Sequence, residues 1–368
     1  MSKILSKTSL ETLSAETLSA KTLSGKTMPA AVLVSPGRVE VREMLEPHAG
    51  PGEVRIRVHA TGVCGTDLHL LEGHFGAKFP LVAGHEISGT VDELGPGVLE
   101  LKLGDPVALD PNVYCGQCHY CQRGLFQHCL HHEALGVTLP GGFARYTVAP
   151  ARNVYRADGL TLEQAAFAEP LGCVAWGMRR LKPEPGSSAL VFGAGAIGLL
   201  LMQGLLASGC SSVTVVDPVE GRLELARALG AAQTFLPHPK LLEDLLDHNP
   251  YGFDITAEAT GVSGVVESLP QYTAVGGKIL VFGVAEESAR VALSPFELFR
   301  RDLTVLGSFA LNSSVPLALE WLRTGRVRVE GLMTHRLPLS GVKQALNFKA
   351  HPGMAGAQKV LIYPWENA

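Results

Sequence analysis

The glycine-rich stretch Gly193-Ala194-Gly195-Ala196-Ile197-Gly198 sets the architecture of the second half of this chain. It follows the apolar run Ala189-Leu190-Val191-Phe192 and precedes an apolar, helix-forming run over residues 199–207. Glycines at this spacing between a strand and a helix predict a dinucleotide-binding turn. Gly193 would allow the tight turn, Gly195 the approach of a pyrophosphate, and Gly198 the close packing of helix on strand. The helix N-terminus at Ala196 and Ile197 would offer free N–H groups to the phosphates.

A second predicted strand, Val213-Thr214-Val215-Val216, ends at Asp217. A carboxylate at this position can accept hydrogen bonds from both ribose hydroxyls and repels a 2′-phosphate, so we expect NAD rather than NADP. Arg222 counts against that preference, because a nearby arginine can accommodate the phosphate. Later strands alternate with helical stretches, which predicts an α/β fold with a doubly wound parallel sheet. These strands are expected at residues 253–257, 278–282 and 303–306.

The first half of the chain has a different sequence pattern. Short apolar strands at residues 31–34, 53–58 and 107–109 are divided by Gly and Pro turns, which predicts a β-rich, barrel-like domain. A chain of 368 residues, 46% of them hydrophobic, is long enough for two domains with separate cores.

Charge and cysteine usage limit the class of protein. The formal net charge is −4 and the sequence has no basic stripe, so we expect no nucleic-acid or anionic-membrane partner. No apolar run approaches the roughly 20 residues that span a bilayer. Seven cysteines, four of them clustered, indicate a reducing compartment and predict a cytoplasmic protein.

Residues 1–27 are unlike the rest, because Thr-Leu-Ser recurs there with a five-residue period. The segment is too polar for a signal peptide. A Ser/Thr-rich targeting peptide is disfavoured by Glu11, Glu16 and the absence of arginine. We predict a disordered, low-complexity tail, or an upstream extension before a start at Met28, and assign it no function.

Four cysteines with the spacing C-x2-C-x2-C-x7-C lie in one loop: Cys115, Cys118, Cys121 and Cys129. Thiolates this close in sequence can converge on one tetrahedral Zn²⁺, whereas disulfides between neighbours would close strained small rings. Four thiolates leave no open position for a substrate. The spacing therefore predicts a structural zinc lobe, at about residues 112–132, with the chemistry elsewhere.

Four chemically active side chains fall within six residues of the β-rich half: Cys64, Thr66, Asp67 and His69. His85 and Glu86 follow Gly84 a short distance on. Cys64 and His85 are suitable Zn²⁺ ligands, and an acid could supply the third. Taken singly, a cysteine can be a small core residue and a histidine an ordinary core or surface residue. In combination with a cofactor fold, they indicate a catalytic metal site.

These motifs, in this order, resemble those of the zinc-dependent medium-chain alcohol dehydrogenases, from Pro29 to the C-terminus. Glu169-Pro170-Leu171 further resembles the polyol (sorbitol-like) and threonine dehydrogenase branch, in which a glutamate replaces the third cysteine ligand. The resemblance implies three segments beyond the tail. They are a GroES-like catalytic domain over residues 28–176, a Rossmann domain over 177–309, and a return to the catalytic domain over 310–368.

The resemblance also implies roles for individual residues. Cys64 and His85 would bind the catalytic zinc. Glu86 and Glu169 would share the place of the remaining ligand: one would bind the zinc directly, and the other would approach it through a water molecule or exchange with the first. Asp67 would orient His85. Two zinc ions per chain, NAD, and a homo-oligomer, a tetramer rather than a dimer, are implied as well.

The predicted reaction is the reversible oxidation of a secondary alcohol to a ketone. An alcohol on Zn²⁺ loses its proton readily because the metal stabilises the alkoxide, which can then expel a hydride toward NAD⁺. By resemblance, Thr66 accepts the alcohol proton and passes it through the nicotinamide ribose to His69, because a histidine side chain is suited to exchanging a proton with solvent.

Three residues bear on the substrate. Leu70, Phe309 and Leu311 stand where sorbitol-type relatives carry aromatic and Arg–Tyr groups, which predicts a more apolar pocket and a less hydroxylated alcohol. Glu72 and His74 keep a polyol, sugar alcohol or small diol as an alternative. Further alternatives are an L-threonine dehydrogenase-like enzyme and a nicotinamide-binding sensor without turnover.

Overall fold

The β-rich half begins with β1 at Thr27, so the last residue of the predicted tail already belongs to a sheet. The computed structural model describes residues 25–74, 76–351 and 354–366, so residues 1–24 of the predicted tail lie outside the described residues. Within the described ranges, no helix is long and apolar enough to cross a bilayer.

Among the described residues, ten strands belong to the first part of the chain. They are β1 (Thr27–Ser35), β2 (Arg38–Leu45), β3 (Glu53–Gly62), β4 (Leu81–Val82), β5 (Glu86–Leu94), β6 (Pro106–Leu109), β7 (Asn112–Val113), β8 (Glu133–Ala134), β9 (Tyr146–Pro150) and β10 (Val154–Arg156). The predicted strands at residues 31–34, 53–58 and 107–109 are confirmed as parts of β1, β3 and β6. Alternate residues of β3, namely Val54, Ile56 and Val58, are fully buried, as a half-covered strand requires.

Two further strands join this part from the C-terminal end of the chain, β17 (Met333–Pro338) and β18 (Lys359–Tyr363). A seven-stranded sheet runs in the order β10-β6-β5-β3-β18-β17, with β9 paired to β3. Strands β2, β1 and β4 form a separate three-stranded sheet, and β7 pairs with β8. The helices of the first part are α1 (Gly65–Leu71), α2 (His119–Gln122), α3 (Leu162–Ala165) and α4 (Ala168–Leu181). Short 3₁₀ turns cover Phe126–His128 and Ala151–Asn153.

A six-stranded sheet, in which all observed pairings are parallel, forms the second part. Its strands are β11 (Ser188–Phe192), β12 (Ser212–Val216), β13 (Gln233–Phe235), β14 (Phe253–Glu258), β15 (Thr273–Val281) and β16 (Thr304–Gly307), in the order β13-β12-β11-β14-β15-β16. The order reverses beside β11, so the glycine turn lies at the switch point where doubly wound folds bind dinucleotides. The predicted α/β fold is confirmed.

The helices of the second part are α5 (Ala196–Ala207), α6 (Glu220–Ala228), α7 (Leu241–His248), α8 (Ser263–Tyr272) and α9 (Pro295–Arg300). Helix α5 is apolar on nearly every side, because it packs both on the sheet and against α4. After β16 come α10 (Val315–Arg323), α11 (Val342–Ala350) and 3₁₀ turns at Glu330–Leu332, Leu339–Gly341 and Met354–Gly356.

Two helices lie at the predicted domain boundaries, which stay predictions. Helix α4 runs continuously across residues 176 and 177. Ala318, Trp321 and Leu322 of α10 pack in the same core as α4 and α5, and the chain rejoins the seven-stranded sheet only at Met333. Val315 and Leu319 of the same helix pack with Ala108, Ala165 and Ala168 of the first part, so α10 contacts both parts, and the return at residue 310 stays a prediction.

Candidate active site and metal centres

The start of α1 gathers four of the predicted site residues. Cys64 immediately precedes the helix, and its N–H donates to Asp67 Oδ2 at 2.8 Å. Thr66 and His69 are three residues apart, so they lie on one side of the helix. Thr66 Oγ1 lies 3.7 Å from Cys64 Sγ. The local helix thus explains why these four residue types can act together.

Asp67, which is fully buried, joins α1 to the turn that carries His85. The Gly84 N–H donates to Asp67 Oδ1 at 3.1 Å, and the same oxygen lies 3.5 Å from His85 Nδ1. Gly84 has φ +87°, and a Cβ there would lie 2.6 Å from the Phe143 ring. Only glycine fits this turn without strain.

The donor atoms of Cys64, His85 and Glu86 lie within 4.8 Å of one another. His85 and Glu86 are buried, and the sulfur, nitrogen and oxygen donors form a set that zinc prefers. Burial lowers the pKa of His85, but the charges of Asp67 and Cys64 outweigh it and raise the pKa well above the ordinary value. Such a negative environment favours a cation, so these residues fit the catalytic zinc that the resemblance implies.

Glu169 lies in the first turn of α4 and is 8% exposed. Burial raises the pKa of Glu169 to about 7; His85 and Lys359 oppose this effect, whereas Glu86 adds to it. Cys173 Sγ lies 3.6 Å from Glu169 Oε1. Glu169 therefore belongs to the same electrostatic neighbourhood as the three converging donors, although it is not one of them.

Lys359 is a site residue that sequence reasoning missed. Its Nζ lies 2.6 and 2.5 Å from the two carboxylate oxygens of Glu86, and both side chains are buried. Burial lowers the pKa of Lys359, but Glu86 outweighs it and raises the pKa. The sequence offered one signal for this role: Lys359 directly precedes the apolar residues Val360, Leu361 and Ile362. A charged side chain at the start of a buried strand requires a partner of opposite charge.

The four cysteines of the lobe also converge, with all sulfurs within 4.8 Å of one another. Cys129 Sγ lies 3.5 Å from Cys115 Sγ and 3.8 Å from Cys118 Sγ. A tetrahedron with Zn–S bonds of about 2.3 Å has edges of about 3.8 Å. The set therefore fits a closed, four-thiolate zinc site.

Backbone N–H groups support the thiolates of this lobe. The Leu130 N–H donates to Cys118 Sγ and lowers the pKa of Cys118 to about 6, whereas burial raises the pKa of Cys121 to about 12. Asn312 Nδ2 donates to the Gly124 carbonyl at 2.7 Å, which attaches the lobe to the segment that follows β16.

The predicted cofactor turn has the expected geometry at each of its glycines. Gly193 has φ +103°, a conformation that favours glycine. A Cβ at Gly195 would meet nothing within 4 Å, so the backbone there is open to a ligand. A Cβ at Gly198 would lie 1.9 Å from the Gly193 carbonyl oxygen. This turn fits a dinucleotide pyrophosphate at the start of α5, where Ala196 and Ile197 are the first helical residues.

Asp217, which is 3% exposed, lies directly beside this turn. Its Oδ2 accepts a hydrogen bond from the Ala194 N–H at 2.7 Å and lies 3.6 Å from Arg222 Nη1. Gln358, a second residue that sequence reasoning missed, donates from Nε2 to the Ala194 carbonyl at 3.2 Å. The C-terminal segment therefore contacts the cofactor turn through Gln358 and the metal-site carboxylate Glu86 through the next residue, Lys359.

The three predicted pocket residues occupy different environments. Leu70 is fully buried in a core cluster of the β-rich part, and Leu311 is buried against Ala168 and Val315. In this structure both are packing residues. Phe309 is 58% exposed and stacks on His128 of the lobe, with ring centroids 5.5 Å apart. A role for the three in binding substrate stays a prediction.

Comparison with known proteins agrees with this geometry. Residues 50–159 match the family described as alcohol dehydrogenase GroES-like domain, and residues 196–324 match the family described as zinc-binding dehydrogenase. The chain is 39% identical to D-arabinitol dehydrogenase 1 of Uromyces fabae over 300 residues, 80% of this chain and 86% of that protein. It is 39% identical to D-altritol 5-dehydrogenase of Agrobacterium fabrum over 321 residues, 85% of this chain and 93% of that protein.

Among solved structures, a zinc-binding dehydrogenase from Sinorhizobium meliloti bound to NADP superposes with a TM-score of 0.86 at 32% identity, covering 92% of this chain and all of that one. A GroES-like part and a Rossmann part joined around a zinc-ligand cluster define a class of dehydrogenase. The chain belongs to the zinc-dependent medium-chain alcohol dehydrogenase family, and it is an oxidoreductase that acts on CH–OH groups with NAD(P). The predicted family, fold class and enzymatic nature are confirmed, which argues against the sensor alternative.

Proposed function

We propose that the chain catalyses the reversible oxidation of a secondary alcohol to a ketone with NAD. The observation that carries this proposal is the convergence of Cys64, His85 and Glu86 within 4.8 Å, beside the Thr66 hydroxyl. When bound, zinc would supply a Lewis acid that increases the acidity of the alcohol, and the nicotinamide would supply the hydride acceptor.

The chain's own residues provide the proton path. The Thr66 hydroxyl, next to Cys64, would accept the proton of an alcohol held at the cluster. His69, one helical turn further along α1, has a side chain that is 38% exposed and can exchange a proton with solvent. Asp67 would hold His85 in place through its contact at 3.5 Å.

The cofactor preference for NAD rests on Asp217. A buried carboxylate beside the Gly193 turn suits the ribose hydroxyls and repels a 2′-phosphate. We also propose two zinc ions per chain. One would be held by Cys64 and His85 with Glu86 or Glu169, and the other by the four cysteines of the lobe.

A polyol or sugar alcohol is a second candidate substrate. Two relatives at 39% identity are named for D-arabinitol and D-altritol. The burial of Leu70 and Leu311 removes part of the support for an apolar pocket. Glu72 and His74 lie next to His69 and offer polar groups to substrate hydroxyls.

A homo-oligomer is proposed from the exposed edge of the six-stranded sheet, and the preference for a tetramer over a dimer rests on the family resemblance. Strand β16 is the last in the sheet order, and Phe296, Phe299 and Val275 near it are 70%, 79% and 74% exposed. An apolar edge of this kind calls for cover by another chain. A cytoplasmic location is proposed because the seven cysteines, all within the described residues, are unpaired.

Substitution of the metal ligands tests the proposed activity. Cys64→Ser and His85→Ala should each remove one zinc equivalent and the alcohol-dependent reduction of NAD⁺, while NAD binding persists. The matched control is Cys210→Ser, which alters a buried cysteine of the second part. Full turnover in either ligand variant would refute the assignment.

A substrate series distinguishes the two candidates. Purified enzyme would be assayed with simple secondary alcohols, vicinal diols, pentitols, hexitols and L-threonine, and kcat/KM compared. The main proposal predicts the highest value for a sparsely hydroxylated secondary alcohol. A pentitol or hexitol that exceeds it by tenfold or more would establish the second candidate.

A further inference from the structure

Three potential ligands outside the Cys64 cluster meet just beyond α1. His69 Nδ1 lies 3.5 Å from Glu72 Oε2, and His74 Nδ1 lies 3.6 Å from the same oxygen. All three donor atoms lie within 4.8 Å of one another. Two imidazoles and one carboxylate are a ligand set found in zinc sites.

The two contacts are ion pairs whose lengths also fit a shared cation. A good hydrogen bond between these atoms would measure about 2.7–3.2 Å. Zn–N and Zn–O bonds of about 2.0–2.1 Å give a tetrahedron with edges of about 3.4 Å, close to the observed 3.5 and 3.6 Å. The cysteines of the lobe, with sulfurs 3.5 and 3.8 Å apart, satisfy the same relation for longer Zn–S bonds.

The backbone holds the three residues together. His69 and Glu72 are three residues apart at the end of α1, so their side chains lie on one side. Gly73 has φ +89° and turns the chain, and the His74 N–H donates to the His69 carbonyl at 2.8 Å. The side chains of His69, Glu72 and His74 are 38%, 46% and 66% exposed, so a cation can reach them from solvent.

We propose that His69, Glu72 and His74 form a third cation site, for Zn²⁺ or a divalent transition metal of similar preference, with water completing the coordination. A metal there would occupy the imidazole that exchanges the alcohol proton with solvent, so it would inhibit turnover reversibly. This inhibition rests on the proposed function, whereas binding of the metal does not.

The test uses the holoenzyme after its resident zinc has been counted. Zn²⁺ is titrated by calorimetry in a buffer without chelator, and NADH formation is followed at the same zinc concentrations. A further equivalent per chain should bind, and saturation should lower the rate at least tenfold. His74→Asn should raise the dissociation constant of the additional zinc ion at least about tenfold, since an imidazole ligand is lost.

The matched control is His238→Asn, which removes an exposed histidine paired with Asp244 at 3.1 Å in the second part. This variant should bind the additional zinc ion with the affinity of the wild type and should be inhibited by it to the same extent. Each rate is compared with the same variant's rate without added zinc.

Absence of a further equivalent in the wild type, or equal affinity in His74→Asn, would overturn the site. Binding of the equivalent without inhibition would overturn the effect on proton exchange. Failure of the proposed function would be recognised separately, as absence of turnover before any zinc is added, and the calorimetric result would still decide the site.

Discussion

Lys359 Nζ contacts both carboxylate oxygens of Glu86, at 2.6 and 2.5 Å, although 273 residues separate the two in the chain. Both groups are almost fully buried. Gly62 leaves the necessary room, because a Cβ there would lie 1.9 Å from Glu86 Oε2. The final strand of the chain thus supplies the counter-charge for a carboxylate of the metal cluster.

Lys359→Met should destabilise the protein by about 3–5 kcal/mol, because Glu86 would remain buried without its partner. Urea unfolding monitored by fluorescence measures the change. Arg42→Met is the matched control, since Arg42 pairs with Glu40 at 2.6 Å on the surface, and the loss of this exposed pair should change the free energy of unfolding far less. Equal effects for the two variants would contradict the structural importance of the buried pair.

Gln358→Leu should weaken NAD binding without loss of zinc. The substitution leaves the buried Ala194 carbonyl of the cofactor turn without the hydrogen bond at 3.2 Å. Without this contact the cofactor turn is held less firmly in its binding conformation, so the dissociation constant for NAD should rise about tenfold. Fluorescence titration with NADH measures it, with metal analysis alongside. Unchanged affinity in a folded, zinc-loaded variant would contradict the predicted contact.

Cys118→Ser should remove one zinc equivalent per chain and lower the melting temperature, since a structural zinc contributes folding energy. Metal analysis and calorimetry measure the two effects. Cys210→Ser, a buried cysteine outside the lobe, should keep both zinc ions. A Cys118→Ser protein with full zinc content and unchanged melting would show that the lobe does not bind zinc.

Asp217→Ser should shift the cofactor preference toward NADP. The substitution removes the carboxylate that repels a 2′-phosphate. In the wild type Arg222 Nη1 lies 3.6 Å from Asp217 Oδ2, and without that carboxylate Arg222 can pair with the phosphate. We expect kcat/KM for NAD to fall at least about tenfold, as the loss of ribose hydrogen bonds would cause. The double variant Asp217→Ser with Arg222→Gln should lose the increase in kcat/KM for NADP. Unaltered selectivity in the single variant would exclude the ribose role.

Glu163→Gln should reduce stability near neutral pH but not in acid. Burial tends to raise the pKa of Glu163, but the hydrogen bond with His59 at 3.0 Å and the charge of Arg336 outweigh it, so the pKa is lowered. A lowered carboxyl pKa stabilises the fold above the ordinary value of 4.5, and this stabilisation disappears as the pH falls through the folded-state pKa. Unfolding measured near pH 7 and well below pH 4.5 should show the two proteins converging in acid. A constant difference would refute the ionic contribution.

Some features followed from residues close together in sequence. The Gly193 turn, the four-cysteine loop and the α1 residues from Cys64 to His69 each lie within one local element. Spacing predicted the phosphate turn and the cysteine cluster, whereas the roles of Thr66, Asp67 and His69 came from the family resemblance. Glycine conformations and helix periodicity are local properties, which explains why the sequence was sufficient there.

Other features depended on tertiary structure. The partners Lys359 and Glu86, the contact from Gln358 to Ala194, and the packing of α10 on α4 and α5 all join segments that are distant in the chain. Burial likewise turned Leu70 and Leu311 from expected pocket residues into packing residues. The sequence by itself determined the chemical groups and the elements that carry them. Only the fold decided which charges are neutralised and which side chains are buried. Burial and long-range pairing arise from packing between elements, so no local periodicity in the sequence indicates them.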